Sequence, residues 1–193
     1  MHATSHRRAH TVRQMRHQVT GFTAIELMVV ITILAVLLAL AGPSFNPLID
    51  QWRTSQAVNN MTSTFYAARS EAIKRGGRVS VRKIANNTGG CTFAPNNQEW
   101  SCGWIIFVDL NNDQNLDAGE EILQTFQMPP NVDVMNLENT ASFHLDRWGR
   151  ANSFGAASFA ITPRSTGAAS PAATAVCVSA GGRIRTVKES VSC

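Results

Sequence analysis

Three hydrophobic patterns follow one another along the chain, and each predicts a different element. The first is an unbroken apolar run, Phe22–Ala41 (FTAIELMVVITILAVLLALA), whose one charged residue is Glu26. As a helix it rises about 30 Å, enough to cross the hydrocarbon core of a bilayer. Gly42-Pro43 interrupts it, because proline lacks a backbone donor and kinks or loosens a helix. The second pattern is a stripe. Phe45, Leu48, Trp52, Val58, Met61, Phe65, Ala68 and Ala72 recur at three- and four-residue steps, with one turn skipped at Ser55. Arg53, Asn59, Asn60, Ser63, Arg69, Glu71 and Lys74 fall largely off it. Such spacing predicts an amphipathic helix whose apolar face needs cover, stopped by Gly76-Gly77.

The third pattern is short alternation. Arg78–Ile84, Trp104–Leu110, Glu121–Gln127, Val132–Leu137, Ala141–Leu145, Ser158–Thr162, Thr174–Ser179 and Arg183–Lys188 read as strands. Pro163–Ala173 (PRSTGAASPAA) reads as a loop. Short strands, turn-rich joints and no second long amphipathic helix argue for an α+β fold, an antiparallel sheet lying on the helix. Some strands are free to pair in a second small sheet. The implied division is a leader, 1–21, an apolar helix, 22–43, and a globular domain, 44–193, with its helix at 44–76 and β-rich remainder at 77–193.

Charge alters this picture in one respect. Of the 17 basic residues, Arg7, Arg8, Arg13 and Arg16 precede the apolar run, with no acid among them. That asymmetry holds the leader on the cytoplasmic side. The remainder carries 13 basic and 13 acidic residues, so it is not globally basic. A polyanion must then be held by a local patch, since net charge would not attract it. Cys91, Cys102, Cys177 and Cys193 follow the apolar run without the paired spacing of a zinc site. They point to an oxidising compartment and to disulfides. Nearest-neighbour pairing, Cys91–Cys102 and Cys177–Cys193, is the expectation, and two other connectivities remain open.

Three readings of the apolar run compete. One is a secretory signal, cut at the A-x-A site in Leu38-Ala39-Leu40-Ala41. Another is a plain membrane anchor. The third rests on Gly21-Phe22-Thr23-x-Ile25-Glu26-Leu27, which resembles the signal of type IV pilins and pseudopilins; Ala24 stands where that family often has leucine. A carboxylate in lipid is costly and reads as functional, and a secretory signal has no use for it. The resemblance implies cleavage between Gly21 and Phe22 by a prepilin peptidase and methylation of the new amine on Phe22. It also implies an assembly contact between Glu26 and such an amine, and a type IV pilin fold.

Two further stretches carry candidate chemistry. Asp109 to Glu120 (DLNNDQNLDAGE) places oxygen-bearing residues at the spacing of a calcium-binding EF-hand loop. Gln114 stands where that loop needs glycine, and the flanks read as strands, so the expectation is an Asx-rich hairpin turn and no metal. Near the C-terminus, Gly181-Gly182 suits a two-residue turn. Arg183 and Arg185 then share one face of a strand, with Ile184 on the other. Lys188 falls on the Ile184 side unless a bulge re-aims it. Arginine forks match phosphate oxygens bidentately, yet two strand arginines are also an ordinary solvated face. Gly182-Arg183-Ile184-Arg185 within a disulfide resembles the FimT branch of the FimT/GspH minor pilins. That resemblance implies non-specific contact with double-stranded DNA in natural transformation, through Gly182, Arg183, Arg185 and Lys188. Arg78, Arg82, Lys83, Arg147, Arg150 and Arg164 are candidates to widen the patch. The rival is a GspH-like structural pseudopilin of a type II secretion system, or a pilus-priming subunit, with no DNA role. Other pilins and the inner membrane are the remaining partners implied. Catalysis is not expected: His144 is the one histidine after the leader, and no catalytic or cofactor motif appears.

Overall fold

The computed structural model describes residues 21–41, 45–151, 156–179 and 181–193. The leader reading over 1–20 and the break at Gly42-Pro43 lie outside the described residues. The chain forms two compact units, Met1–Pro43 and Ser44–Cys193.

In the first unit, helix α1 spans Ala24–Ala41. Thr23 starts it: its Oγ1 accepts the Glu26 N–H at 3.3 Å and its carbonyl accepts the Leu27 N–H at 3.2 Å, as an N-cap residue does. Its 18 residues rise about 27 Å. Among the described residues no helix is long and apolar enough to cross a membrane; Phe22 extends the apolar run outside the helix.

The second unit is built on helix α2, Asn46–Arg75. Pro47 sits in its first turn, where a missing N–H leaves nothing unpaired. Gly76, at φ +73°, ends it, and the Gly77 N–H closes on the Ala72 carbonyl at 2.7 Å. Thr54, Ala57, Val58, Met61, Thr64, Phe65, Ala68 and Ala72 are buried. Phe45, Leu48 and Trp52, the start of the predicted stripe, are instead exposed. Burial along the helix begins at Thr54, and Ser165 reaches the preceding turn by donating to the Asp50 carboxylate at 2.7 Å.

Eight strands follow among the described residues: β1 Val79–Lys83, β2 Trp104–Val108, β3 Ile122–Phe126, β4 Val132–Asn136, β5 Ser142–Leu145, β6 Ala156–Pro163, β7 Thr174–Ser179 and β8 Ile184–Lys188. They form two antiparallel four-stranded sheets, ordered β3-β2-β1-β5 and β4-β6-β7-β8. Both cover the apolar face of α2. Phe65 of the helix stacks on Phe143 of the first sheet at 5.0 Å and meets Phe159 of the second edge-on at 5.9 Å. Trp100 joins the cluster, 5.2 Å from Phe159. Burying each such side chain contributes roughly 2–3 kcal/mol. Trp104 Nε1 donates to Thr64 Oγ1 at 2.6 Å, which satisfies a hydroxyl on the buried helix face. Disulfides join Cys91 to Cys102 and Cys177 to Cys193.

Candidate functional site

The β7–β8 hairpin lies at the edge of the second sheet, with β8 the outer strand. The Ser179 N–H donates to the Arg183 carbonyl at 3.0 Å and the Gly182 N–H to the Ser179 carbonyl at 2.8 Å. Ser179 Oγ also accepts the Arg183 N–H at 3.1 Å. That pairing closes the hairpin between Ser179 and Arg183, wider than the predicted two-residue turn, and Gly182 takes φ +78°. A left-handed third residue is what a three-residue hairpin loop uses.

Beyond the turn, Ile184 packs on the core while Arg183 and Arg185 are exposed. Pairing is regular from Val178↔Ile184 to Thr174↔Lys188. No register shift falls within β8, so Lys188 keeps the Ile184 side of the strand, and it is exposed like the two arginines. The arginines also differ from each other. Arg185 Nη2 donates to the Cys193 carbonyl oxygen at 2.8 Å, at the end of the loop closed by Cys177–Cys193. Arg183 has no side-chain partner among the described residues. Both line a cleft of about 310 Å³ with Ser158, Cys177, Ser179 and Cys193.

Sequence reading missed Arg69, which holds this turn from below. From α2, its Nη1 donates to the Gly182 carbonyl at 3.4 Å. A Cβ on Gly182 would lie 2.8 Å from Arg69 Nη1, and one on Gly149 2.4 Å from Arg69 Cγ. Arg69 therefore runs beneath two glycine turns. Its only sequence signal is its place among Phe65, Ala68 and Ala72, all buried.

Most other basic candidates are engaged. Arg82 donates to Gln114 O and Asn115 Oδ1. Lys83 donates to the carbonyls of Ala94, Asn96 and Glu99, and burial lowers its pKa. Arg150 pairs with Asp146, and Arg164 pairs with Asp133 while lying 3.7 Å over the Phe93 ring. Arg78 and Arg147 have no side-chain partner among the described residues; they line a polar cleft with His144, apart from the hairpin cleft.

The Asp109–Glu120 oxygens are turned onto their own backbone. Asp109 accepts the N–H groups of Asp113 and Gln114 at 3.1 and 2.9 Å. Asp113 accepts from Asn115, and Glu120 from Leu110 and Asp117. The Asn115 N–H is the main cause of a lowered Asp113 pKa. Gln114 takes φ +64° without being glycine. Among the described residues no group of three histidine, cysteine or acidic side chains is placed to hold a metal ion.

One cluster joins three separate segments, at Ser80, Asp109 and His144. Ser80 donates to Asp109 Oδ2 at 2.6 Å, and His144 Nδ1 lies 3.3 Å from the same hydroxyl. Ser80 and Asp109 are fully buried. The serine proton goes to the carboxylate, so the imidazole activates no nucleophile; the cluster anchors the loop. Burial lowers the His144 pKa, against the pull of Asp109 and Asp146.

At the other end, Gly21 and Phe22 are exposed and non-helical. A Cβ on Gly21 would meet nothing within 4 Å, so packing does not require glycine there. Glu26 lies in the first turn of α1, where an acid also complements the helix dipole. Thr23-x-x-Glu26 is a capping-box pattern that sequence reading passed over.

An apolar N-terminal helix, a second helix under two antiparallel sheets, and a prepilin-type start define a pilin-like protein. The family model "Type II transport protein GspH" matches residues 57–182, and the model "Prokaryotic N-terminal methylation motif" matches 16–42. The chain belongs to the GspH family and carries a prokaryotic N-terminal methylation motif. It is 33% identical over 101 residues to the pilin-like protein PilA1 of Thermus thermophilus, covering 52% of this chain and 55% of that protein. The chain thus spans about half the length of that relative. The type IV minor pilin FimU of Pseudomonas aeruginosa has a similar fold in two crystal forms. TM-scores are 0.51 and 0.53, at 15% and 14% identity, covering 70% of this chain and 93% and 88% of FimU. The fold is the α+β type IV pilin fold, and the family is one of pilin-like structural proteins.

Proposed function

We propose that the chain is a minor pilin of a type IV pilus that binds double-stranded DNA non-specifically through Arg183 and Arg185, supporting uptake in natural transformation. In this reading 1–21 is a leader removed by prepilin peptidase and Phe22 is the methylated residue. Residues 22–43 anchor the chain in the inner membrane, with Glu26 meeting a neighbouring pilin's amine in the fibre. Domain 44–193 is first periplasmic, then displayed on the pilus. The observation that carries the DNA role is the exposed Arg183 guanidinium, unpaired among the described residues. It stands on a turn held by Arg69, the Ser179 hydroxyl and the Cys177–Cys193 bridge. A fixed cation on an edge strand contacts phosphates without reading bases.

Two observations favour the structural pseudopilin reading instead. The GspH match stops at Gly182, before the first arginine, and Arg185 is already engaged by Cys193. Fluorescence anisotropy of a labelled duplex with the full chain in detergent separates the readings. Arg183→Ala with Arg185→Ala is expected to abolish most binding and to reduce the salt slope by about 1.8, at ~0.9 per phosphate contact. Unchanged binding in the double variant removes the hairpin as the site; no binding by the parent favours the structural reading.

A further inference from the structure

We propose that the surface where the 146–151 loop meets the β7–β8 turn binds single-stranded DNA, with Tyr66 and Trp148 as stacking platforms and Arg69 and Arg183 as backbone cations. The proposal rests on the DNA reading above and changes the form of DNA it prefers. Its basis is a junction that brings together residues far apart in the chain. Arg69 passes beneath Gly149 and Gly182, and a Cβ on Gly182 would lie 3.8 Å from the Gly149 carbonyl oxygen. Loop and turn are therefore in contact. Tyr66, one helix residue beyond Phe65, lines the crevice between them with Arg69, Gly149, Ala151, Gly182 and Ile184.

Both rings are exposed, as is Trp52 nearer the start of α2. Trp100 and Trp104 are fully buried, whereas Trp148 is 66% exposed and Tyr66, the chain's single tyrosine, 59%. Neither ring has an aromatic or hydrogen-bond partner among the described residues. Trp148 is nonetheless on a fixed loop. Asp146 accepts the N–H groups of Trp148 and Arg150, each at 2.9 Å, and the Arg150 guanidinium at 2.9 Å. That pairing also neutralises the nearest acid on the loop. On α2, Glu71 is neutralised by Lys74 and Arg75. Arg69 remains as the cation that lines the crevice, and Arg183 follows Gly182 directly in the chain while its side chain lines the neighbouring cleft with Arg185.

A duplex offers phosphates outward and keeps its base faces stacked, so a surface of cations alone holds it without ring contact. Unpaired bases have free faces, and an exposed ring beside a backbone cation adds a contact that only they use. Arg69 spends one donor on Gly182; a guanidinium carries five.

The test uses the full chain in detergent micelles, a fluorescein-labelled oligothymidylate of about 16 nucleotides, and a duplex of equal length, all at low salt. Tyr66→Ala and Trp148→Ala are each expected to weaken oligothymidylate binding roughly tenfold and to leave duplex binding nearly unchanged. Trp148→Phe restores most of the single-strand affinity, because a ring and not an indole N–H is required. Melting temperatures equal to the parent's show that these exposed substitutions leave the fold intact. Equal losses on both DNA forms overturn the proposal, because the rings would then only shape the hairpin, and no loss on the single strand overturns it as well. A parent that binds duplex but not oligothymidylate overturns it while leaving the duplex reading intact; a parent that binds neither overturns both.

Discussion

Replacing Gly149 by alanine places a methyl group where Arg69 already stands. Gly149 has φ +71°, and its new Cβ would lie 2.4 Å from Arg69 Cγ. The left-handed backbone costs an alanine about 1–2 kcal/mol. Carbon atoms prefer roughly 3.5–4.0 Å, so Arg69 must also move by about 1 Å at a point near its own backbone. Unlike a terminal guanidinium, Cγ cannot swing aside while leaving the head in place, and the bond to Gly182 is lost with it. Together these effects come to about 2–3 kcal/mol. A domain of this size loses ~2–4 °C of melting temperature per kcal/mol, so Gly149→Ala should lower it by roughly 5–10 °C. In an Arg69→Ala background Cγ is absent and only the backbone strain remains. The same substitution should then cost about 1 kcal/mol less, or ~2–4 °C less. Thermal melts of the parent, both single variants and the double variant close the cycle. A loss of equal size in both backgrounds would show that Arg69 does not fill the space under Gly149, and the account of how the turn is held fails.

Two further expectations concern the fold around the sites. Replacing both Cys177 and Cys193 by serine opens a bridge of sequence separation 16; the chain-entropy model puts the loss at ~3 kcal/mol. A melt should show it as a fall of roughly 6–12 °C, and an unchanged melt refutes a constraining role. His144 makes stability depend on pH in a window of its own. Burial lowers its folded pKa below the ordinary 6.5, so the unfolded chain takes up a proton first as pH falls. Stability is full above about 6.5 and declines below it as pH falls toward and through the folded value, with a slope of at most ~1.4 kcal/mol per pH unit. The carboxylates with lowered pKa, Glu71, Asp113 and Asp146, begin to contribute only in the more acidic range near 4. His144→Asn should therefore flatten the melting temperature between pH about 7 and about 5, and a profile identical to the parent's refutes the assignment.

All eight strands were legible because alternation of two is a local signal, and the buried half of α2 because its apolar residues repeat at helical spacing. The exposed half was not: Phe45, Leu48 and Trp52 carry the same periodicity as Met61 and Phe65, and periodicity does not tell where the covering sheets end. Thr64 reads as polar, and only Trp104, 40 residues on, makes it a core residue. Ser80, Asp109 and His144 come from three separate segments that the first sheet and its β2–β3 loop bring together. Lys188 is the opposite case. A period of two places it with Ile184, while charge and nearness along the chain group it with the arginines; the regular register decides for the period. Arg69, Gly149 and Gly182 are legible in no local pattern, because the clamp joins a helix to two turns.

The balance of charge decides what kind of site the hairpin can be. With 13 basic and 13 acidic residues after the leader, there is no global field to draw DNA in. Attraction acts within about 8–10 Å, one Debye length. A cation serves such a site only if it is held outward at the surface, and an edge strand provides that. Charges on an edge strand have another use, since they also block pairing with further strands. That protective use needs a charge somewhere along β8, and Lys188 would supply it alone. It needs neither a left-handed Gly182, nor a serine hydroxyl on the Arg183 N–H, nor an arginine from α2 fixed under the turn. Those three features fix the backbone of one particular residue, Arg183; a fixed backbone position serves the proposed phosphate contact and adds nothing to edge protection.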